Sequence, residues 1–375
     1  MPDPQNMKPL SLYIHLPFCS RKCLFCSFVI AVGQEHRREE YVRALEMEME
    51  HHAASPAGGR AAQKLHTVYL GGGTPSLLDE RHLDVLMNAV RKNFSLQENA
   101  EITIEANPES VDIAKAKFLK RQGFNRISLG VQSLNDRYLK FLGRGHDAPA
   151  AVRAYHCLRE AAFDNINMDL MYAFPGQARD ELQRDVRALA HLNSEHLSLY
   201  TLTIEPNSKF YAFQMKLDDD EKLADHYLMI ARILQEHGFA QYEISNFAKP
   251  GRESAHNRNY WTGAPYIGLG VGAHAFDGRR RAWNTPRLQD YLRRMSQGMS
   301  AVEGHEDLTD EQLVMEKVLF GLRMNEGIRW DMVPFHKRGR IEAWIRDGFL
   351  LREGERLQAT ERGRLVLDEL SARLI

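Results

Sequence analysis

The stretch Tyr13-Ile14-His15-Leu16-Pro17-Phe18-Cys19-Ser20-Arg21-Lys22-Cys23-Leu24-Phe25-Cys26 carries three of the four cysteines in the chain. Cys19, Cys23 and Cys26 are separated by three and then two residues, and they follow residues 12–14, which predict a short strand. Clustered thiols of this kind are typical of metal binding or redox chemistry rather than of disulfides. The spacing lets three thiolates bind one [4Fe–4S] cluster and leaves one of its irons open.

Other interpretations of these cysteines remain open. His15 or Cys157 could supply the fourth ligand that a tetrahedral zinc site requires, or the thiols could be reduced and structural. Cys157 lies in a predicted helix, where a small buried apolar side chain is the commoner role. An iron left open by three cysteines is what radical chemistry with S-adenosylmethionine requires, because the amino and carboxylate groups of that molecule chelate it.

The composition limits the class of protein. Of 375 residues, 43% are hydrophobic and 26% charged, which allows a sizeable core and excludes disorder as the main state. The formal net charge of −1 gives no electrostatic footprint for nucleic acid. No apolar run approaches the roughly 18 residues of a membrane span, and the N-terminus has no targeting pattern. We therefore expect a cytoplasmic protein that binds no nucleic acid and is not an integral membrane protein.

Strand and helix patterns alternate over the first two-thirds of the chain. The predicted strands are 12–14, 67–70, 101–105, 126–130, 166–170 and 196–202, and the predicted helices between them are 37–52, 80–93, 112–122, 135–142, 148–162 and 179–192. Six such repeats predict an α/β fold with a parallel sheet and right-handed crossovers. A partial (β/α)6 barrel is favoured over a doubly wound sheet, because polar residues follow the carboxyl end of almost every strand.

Three regions are expected along the chain. Residues 1–205 form the partial barrel. Residues 206–304 extend it with a long helix at 219–237 and an aromatic, glycine-rich stretch. Residues 305–375 complete a C-terminal α+β accessory region with a helix, a hairpin and a helix, the outline of a small winged-helix-like module. An irregular helical tail is the alternative for this last region.

Polar residues at the strand ends form a candidate ligand pocket. The residues are Gly72, Gly73, Thr74, Glu105, Gln132, Arg144 and Asp169. The glycines let backbone N–H groups approach a ligand, although a tight turn explains them equally well. Each polar side chain alone also fits a surface role. Together they line one rim of the predicted barrel, which favours a binding site.

The cysteine spacing, the glycine loop and the strand ends resemble the radical S-adenosylmethionine (SAM) superfamily. Along nearly the whole chain the sequence resembles its oxygen-independent coproporphyrinogen III dehydrogenase-like family. The matching stretches are 13–15, 71–76, 128–133, 142–144, 167–171, 203–207 and 242–246. The resemblance implies a radical-SAM barrel with a [4Fe–4S] cluster on Cys19, Cys23 and Cys26. It also implies an S-adenosylmethionine pocket formed by Tyr13, Phe25, Gly72, Gly73, Thr74, Glu105, Gln132, Arg144 and Asp169.

Three departures favour the haem-chaperone branch of this family over the dehydrogenases. The dehydrogenases have a further cysteine two positions beyond the third cluster ligand, where this chain has Phe28. They also have a long N-terminal extension, where this chain has eighteen residues before Cys19. The stretch 256–261, His-Asn-Arg-Asn-Tyr-Trp, matches the motif associated with haem binding in the branch.

The residues of this motif suit haem chemically. The imidazole of His256 is a ligand for haem iron, and Tyr260 and Trp261 offer flat faces for a porphyrin. From residue chemistry alone, a packed loop is a better interpretation of this stretch than a haem site. The resemblance makes the haem site the better interpretation. His274 is a second candidate ligand, although glycine-rich packing explains it as well.

The resemblance implies a haem carrier rather than an enzyme. We expect it to bind haem, one cluster and S-adenosylmethionine, and to pass haem to acceptor apoproteins, membrane-associated respiratory enzymes among them. It would act as a monomer or a homodimer, without coproporphyrinogen dehydrogenase activity. The alternative is a radical SAM enzyme that decarboxylates or methylates a porphyrin. A zinc-stabilised protein without redox chemistry would leave the strand-end residues unexplained.

Overall fold

The computed structural model describes residues 9–54 and 64–374 as alternating strands and helices. The strands are β1 (Leu10–Leu16), β2 (Phe18–Cys19), β3 (Ala31–Val32), β4 (Leu65–Gly72), β5 (Leu96–Ala106), β6 (Arg126–Gln132), β7 (Ile166–Tyr172), β8 (His196–Thr201), β9 (Ala240–Gln241), β10 (Asn246–Ala248), β11 (Tyr266–Leu269), β12 (His274–Phe276), β13 (Arg280–Asn284), β14 (Val302–Asp307), β15 (Ile328–Arg329), β16 (Leu350–Glu353) and β17 (Arg356–Ala359). The helices are α1 (Arg38–Ala54), α2 (Glu80–Asn93), α3 (Ile113–Arg121), α4 (Asp136–Leu142), α5 (Ala148–Glu160), α6 (Arg179–Leu192), α7 (Lys209–Ala212), α8 (Asp220–Glu236), α9 (Ala255–Trp261), α10 (Leu288–Ser296), α11 (Asp310–Arg323), α12 (Arg338–Arg346), α13 (Glu361–Leu365) and α14 (Leu367–Leu374).

Six parallel strands form the centre of the main sheet, in the order β1-β4-β5-β6-β7-β8. Strands inside a parallel sheet are covered on both faces, so most of their residues are buried. In β6, for example, Arg126 to Val131 are all buried. All six predicted strands are confirmed, as is the α/β fold with a parallel sheet.

Further strands extend both edges of this sheet to twelve in all. On one side β11 pairs in parallel with β1, and β12, β13 and β14 follow antiparallel. On the other side β10 and β9 run antiparallel. Within the described residues the order runs from β14 to β9 without closing, so the barrel is partial, as predicted. The edge strands are two to six residues long, and they were not predicted.

The helices begin where polar side chains satisfy free backbone N–H groups. Asp79 precedes α2 and accepts from the backbone N–H of His82 at 2.9 Å. Thr309 precedes α11 and forms a reciprocal pair of hydrogen bonds with Gln312. The predicted helices 80–93 and 179–192 coincide with α2 and α6. No helix in the described ranges is long and apolar enough to cross a membrane.

A second hydrophobic cluster lies in the C-terminal part of the chain, separate from the core of the main sheet. It is centred on Val318, Ile341 and Leu357, and it joins α11, α12 and the three-stranded antiparallel sheet β15-β17-β16. The hairpin β16–β17 and the following helices agree with the predicted element order. The winged-helix assignment and the domain boundaries stay predictions, and the boundary at 304/305 lies inside β14.

Candidate functional site

A cavity of about 1470 Å³ opens at the carboxyl ends of the parallel strands, and we call it the barrel cavity. All three clustered cysteines line it, as do Phe25, Gly72, Gly73, Thr74, Glu105, Gln132, Arg144 and Asp169. A typical small-molecule pocket measures about 300–1,000 Å³. The barrel cavity is therefore large enough for more than one ligand.

The cysteine loop is held against the barrel by backbone hydrogen bonds. The N–H of Leu24 donates to Leu142 at 3.0 Å, and the carbonyl of Leu24 accepts from Phe210 at 3.0 Å. Cys19 lies 3.6 Å from the Thr74 hydroxyl. The loop is thus anchored to α4 and α7, which places its thiols at the mouth of the barrel.

The electrostatic surroundings of the three thiols are mixed. Burial raises the pKa of Cys19 to about 11, and the Thr74 hydroxyl and the Arg144 guanidinium oppose that rise. Burial also raises the pKa of Cys26. Arg144 donates to the sulfur of Cys23 at 3.5 Å. A cation thus lies beside the thiol of Cys23.

The donor set, three thiols on one short loop, is of the kind that holds an iron–sulfur cluster. Among the described residues, no three His, Cys, Asp or Glu side chains converge on one possible metal position. A cubane cluster makes a different demand, because each thiolate binds a different iron. Neither candidate fourth zinc ligand is presented to the barrel cavity: His15 hydrogen bonds with Tyr13 and the Val29 carbonyl, and Cys157 packs beside the core.

The glycine loop after β4 packs tightly against the cysteine loop. A Cβ atom on Gly72 would lie 2.6 Å from the His15 ring, and one on Gly73 would lie 2.7 Å from the Phe18 carbonyl. The backbone N–H of Gly73 donates to Leu16 at 2.8 Å. Close chain packing is therefore one reason for glycine here, and ligand binding by these glycines stays a prediction.

Glu105 and Asp169 place two buried carboxyl groups in the barrel cavity. Glu105 accepts from the Tyr69 hydroxyl and the Gly72 N–H, both at 2.9 Å. Burial raises its pKa to about 7, helped by the charge of Asp169. Asp169 accepts from Asn167 at 2.7 Å, and burial raises its pKa to about 6. Such carboxyls suit a ligand that brings an ammonium group or hydroxyls.

Gln132 and Arg144 complete the polar wall between β6 and α4. Gln132 has a φ of 67°, a left-handed conformation that costs a non-glycine residue energy and clusters at functional sites. Arg144 donates to Asn107 at 2.6 Å and to the Gly130 carbonyl at 2.8 Å. Tyr13, in contrast, does not line the barrel cavity, and its role at the pocket edge stays a prediction.

The stretch 256–261 forms α9, and its histidine is buried. His256 is 1% exposed, and its two ring nitrogens lie 2.7 Å from the Thr67 hydroxyl and 2.9 Å from the Tyr260 hydroxyl. Burial lowers its pKa to about 3. In this conformation His256 would have to give up a hydrogen bond to ligate iron, so the haem-ligand assignment stays a prediction. His274 is exposed on β12 beside Trp283, outside the barrel cavity.

The rest of the motif adjoins the barrel cavity indirectly. Asn257 lines it, and Trp261 packs beneath Arg323, whose guanidinium carbon lies 4.4 Å from the ring centroid. Arg323 also lines the cavity, with Arg126, Tyr200, Arg362 and Arg364. None of these five residues was predicted as part of the site, because they come from distant elements and carry no local motif.

The comparisons with known proteins agree with this geometry. Residues 13–189 match the Radical SAM superfamily model. Coproporphyrinogen III oxidase (HemN) from Escherichia coli, described as a radical SAM enzyme, has the same fold over 98% of this chain and 90% of its own, with a TM-score of 0.85 and 25% identity. The fold, the cysteine-lined cavity and these matches define a radical SAM protein.

Relatives over nearly the full length narrow the class further. The haem chaperone HemW of Mycobacterium tuberculosis is 35% identical over 99% of this chain and 96% of its own length. HemW of Escherichia coli is 36% identical over 97% and 98%. Radical S-adenosyl methionine domain-containing protein 1, mitochondrial, of Danio rerio is 31% identical over 98% and 87%. The chain belongs to the HemW family.

Proposed function

We propose that this chain is a haem chaperone, which binds haem and passes it to acceptor apoproteins. The observation that carries the proposal is the similarity over nearly the whole chain to relatives named haem chaperones. The barrel cavity supports it, because its volume exceeds that of a pocket for one small ligand.

Cys19, Cys23 and Cys26 would hold one [4Fe–4S] cluster, with its fourth iron open to S-adenosylmethionine. When bound, such a cluster supplies an electron that can cleave the sulfonium bond of S-adenosylmethionine. Arg144, 3.5 Å from the sulfur of Cys23, lowers the cost of holding negative charge at this end of the cavity. Glu105 and Asp169 would accept hydrogen bonds from the ammonium or hydroxyl groups of S-adenosylmethionine.

Phe28 favours a carrier over a dehydrogenase. It lines the barrel cavity, where the dehydrogenases have a further cysteine, and it is 65% exposed. An exposed phenyl ring offers an apolar face to a porphyrin and brings no thiol. The motif at 256–261 is the second feature on which haem binding rests, with His256, Tyr260 and Trp261 as the proposed haem residues.

A radical SAM enzyme that acts on a porphyrin is the second candidate. The TM-score of 0.85 with the coproporphyrinogen oxidase favours it, since the two chains share their whole architecture. Cluster and barrel are common to both functions, so they do not discriminate.

Anaerobic reconstitution, haem titration and a coproporphyrinogen assay on one sample test the proposal. We expect a stable Soret band on haem addition and no consumption of coproporphyrinogen. Decarboxylation of coproporphyrinogen with stoichiometric cleavage of S-adenosylmethionine would contradict the chaperone function and support the enzymatic function.

The same titration tests the haem ligand. If His256 ligates the iron, His256→Ala shifts the Soret band and weakens haem retention, while circular dichroism confirms that the variant is folded. An unchanged Soret band would exclude His256 as axial ligand and make His274 the next candidate.

A further inference from the structure

One wall of the barrel cavity is formed by residues from the C-terminal part of the chain. Arg362 and Arg364 lie on α13 and line the cavity, together with the apolar side chains of Leu365 and Val366. Phe349, just before β16, lines it too. A basic pair beside an apolar surface therefore faces the space that also contains the cysteines.

Neutral groups hold both arginines in place. Arg364 donates to the side-chain oxygen of Gln241 at 3.0 Å. Arg362 donates to the Asp347 carbonyl at 3.1 Å, and its guanidinium carbon lies 4.5 Å from the centroid of the Phe349 ring. Among the residues that the structure describes, neither guanidinium has a carboxylate within ion-pair distance. Their charges are oriented but not neutralised.

The neighbouring arginine provides the contrast. Arg323 donates to the fully buried carboxylate of Glu243 at 2.6 Å, so its charge is compensated inside the protein. Arg364 and Arg323 both act on the hydroxyl of Tyr227. Burial raises the pKa of Tyr227, and both guanidiniums oppose that rise. Among the described residues, Arg362 and Arg364 are thus the guanidiniums of this wall without a carboxylate partner, whereas Arg323 has one.

Acidic side chains of α8 and α14 also line the cavity, at Asp220, Glu221, Asp368 and Glu369, but among the described residues none of them forms an ion pair with Arg362 or Arg364. Glu369 is ion-paired with Arg373. Asp368 is exposed to solvent at the start of α14. Arg364 is half-buried, whereas Arg362 is exposed, so water screens the charge of Arg362 as it screens that of Asp368 and screens the charge of Arg364 less.

We propose that Arg362 and Arg364 bind the two carboxylate side chains of a haem-type tetrapyrrole. Planar guanidinium groups recognise carboxylates through paired N–H donors. Two uncompensated cations match the two propionates of haem, and the apolar macrocycle would pack against Phe28, Phe349 and Leu365. This inference rests on the proposed function and names the groups that select the cargo.

Haem and its dimethyl ester, in which both carboxylates are blocked, test the inference on the full-length protein reconstituted with its cluster. Wild-type protein should bind haem more tightly than the ester. The double substitution Arg362→Gln and Arg364→Gln should weaken haem binding by about tenfold per arginine and leave ester binding unchanged. Arg364→Lys should retain more haem affinity than Arg364→Gln, because lysine keeps the positive charge. It should bind haem less tightly than wild-type protein, because lysine lacks the paired donors.

Arg356→Gln is the matched control. Arg356 is an exposed arginine on β17 of the same C-terminal part, and it does not line the barrel cavity. It should leave the preference for haem over the ester unchanged. Equal binding of haem and ester by wild-type protein, or an unchanged preference in the double variant, would overturn this inference alone. Failure of wild-type protein to bind haem at all would overturn the proposed function and this inference with it.

Discussion

Glu105 is protonated more readily in the folded chain than in water, because it is buried near a second carboxyl group, Asp169. Its pKa of about 7 lies above the ordinary 4.5. Between these values the folded state holds a proton that the unfolded chain releases. The contribution of Glu105 to stability without ligand is therefore complete below about pH 4.5 and is lost as the pH rises through 7.

Binding of S-adenosylmethionine should show the opposite trend. If ionised Glu105 accepts hydrogen bonds from the ligand, affinity rises with pH up to about 7 and falls by up to tenfold per pH unit below it. Calorimetric titration of the reconstituted protein from pH 5.5 to pH 8.5 measures this. Glu105→Gln should bind more weakly, by about 1–3 kcal/mol, and should reduce the pH dependence. An unaltered affinity and pH profile would remove Glu105 from the pocket.

Replacement of any one of Cys19, Cys23 and Cys26 by alanine should abolish the visible absorbance of a reconstituted cluster. Each thiolate is expected to bind a different iron, so no remaining cysteine of the loop substitutes for it. Cys157→Ala is the control and should keep the full absorbance, because Cys157 packs beside the core. A complete cluster in the variant with all three of these cysteines replaced by alanine would contradict their assignment as cluster ligands.

At the scale of elements, α1 is fixed to the sheet by one buried carboxylate. Glu48 accepts from the Gly270 N–H at 2.8 Å, from Asn284 at 2.6 Å and from the Tyr291 hydroxyl at 2.7 Å. These three donors come from the loop after β11, from β13 and from α10. Burial raises the pKa of Glu48, and the three donors oppose that rise. One side chain thus joins four segments around the edge of the barrel.

Glu48→Ala should lower the free energy of unfolding by about 3 kcal/mol, because it leaves three buried donors without an acceptor. Urea denaturation followed by circular dichroism measures the change. Glu46→Ala, on the same helix and only half-buried, is the control and should cost less than about 1 kcal/mol. Equal losses in the two variants would show that Glu48 does not fix α1.

A partly buried ion pair ties the C-terminal part of the chain to the barrel. Arg323 at the end of α11 reaches Glu243, and Glu243 also forms a backbone bridge with Met324. Trp261 packs against Arg323 and Phe320. The barrel cavity has walls on both sides of this contact, so its shape depends on the contact.

Arg323→Ala should loosen this contact, because it leaves the carboxylate of Glu243 buried without its cation, at a cost of about 3–5 kcal/mol. Limited proteolysis should then cleave faster between β14 and α11. Arg329→Ala, which removes an exposed ion pair with Asp331, should keep the wild-type rate. A wild-type rate in Arg323→Ala would show that other contacts hold the two parts together.

The class of the protein and the centre of its fold could be predicted from residues that are neighbours in the chain. Cys19, Cys23 and Cys26 are close in the chain, so their proximity in space follows from their spacing. The six parallel strands were predicted from short β-branched or aromatic runs that alternate with helical patterns, and the glycines at the end of β4 were interpreted as a ligand-binding loop or a tight turn. These signals are local, so they can be recognised without knowing which segments pack against each other in the fold.

The full set of residues that line the barrel cavity, in contrast, results from contacts between segments far apart in the chain. Arg362 and Arg364 lie more than three hundred positions from the cysteines, yet they line the same space. The burial of His256 between Thr67 and Tyr260 depends on how α9 packs against β4. Burial and charge compensation arise from contacts between distant segments, so they cannot be predicted from the residues next to a side chain in the sequence.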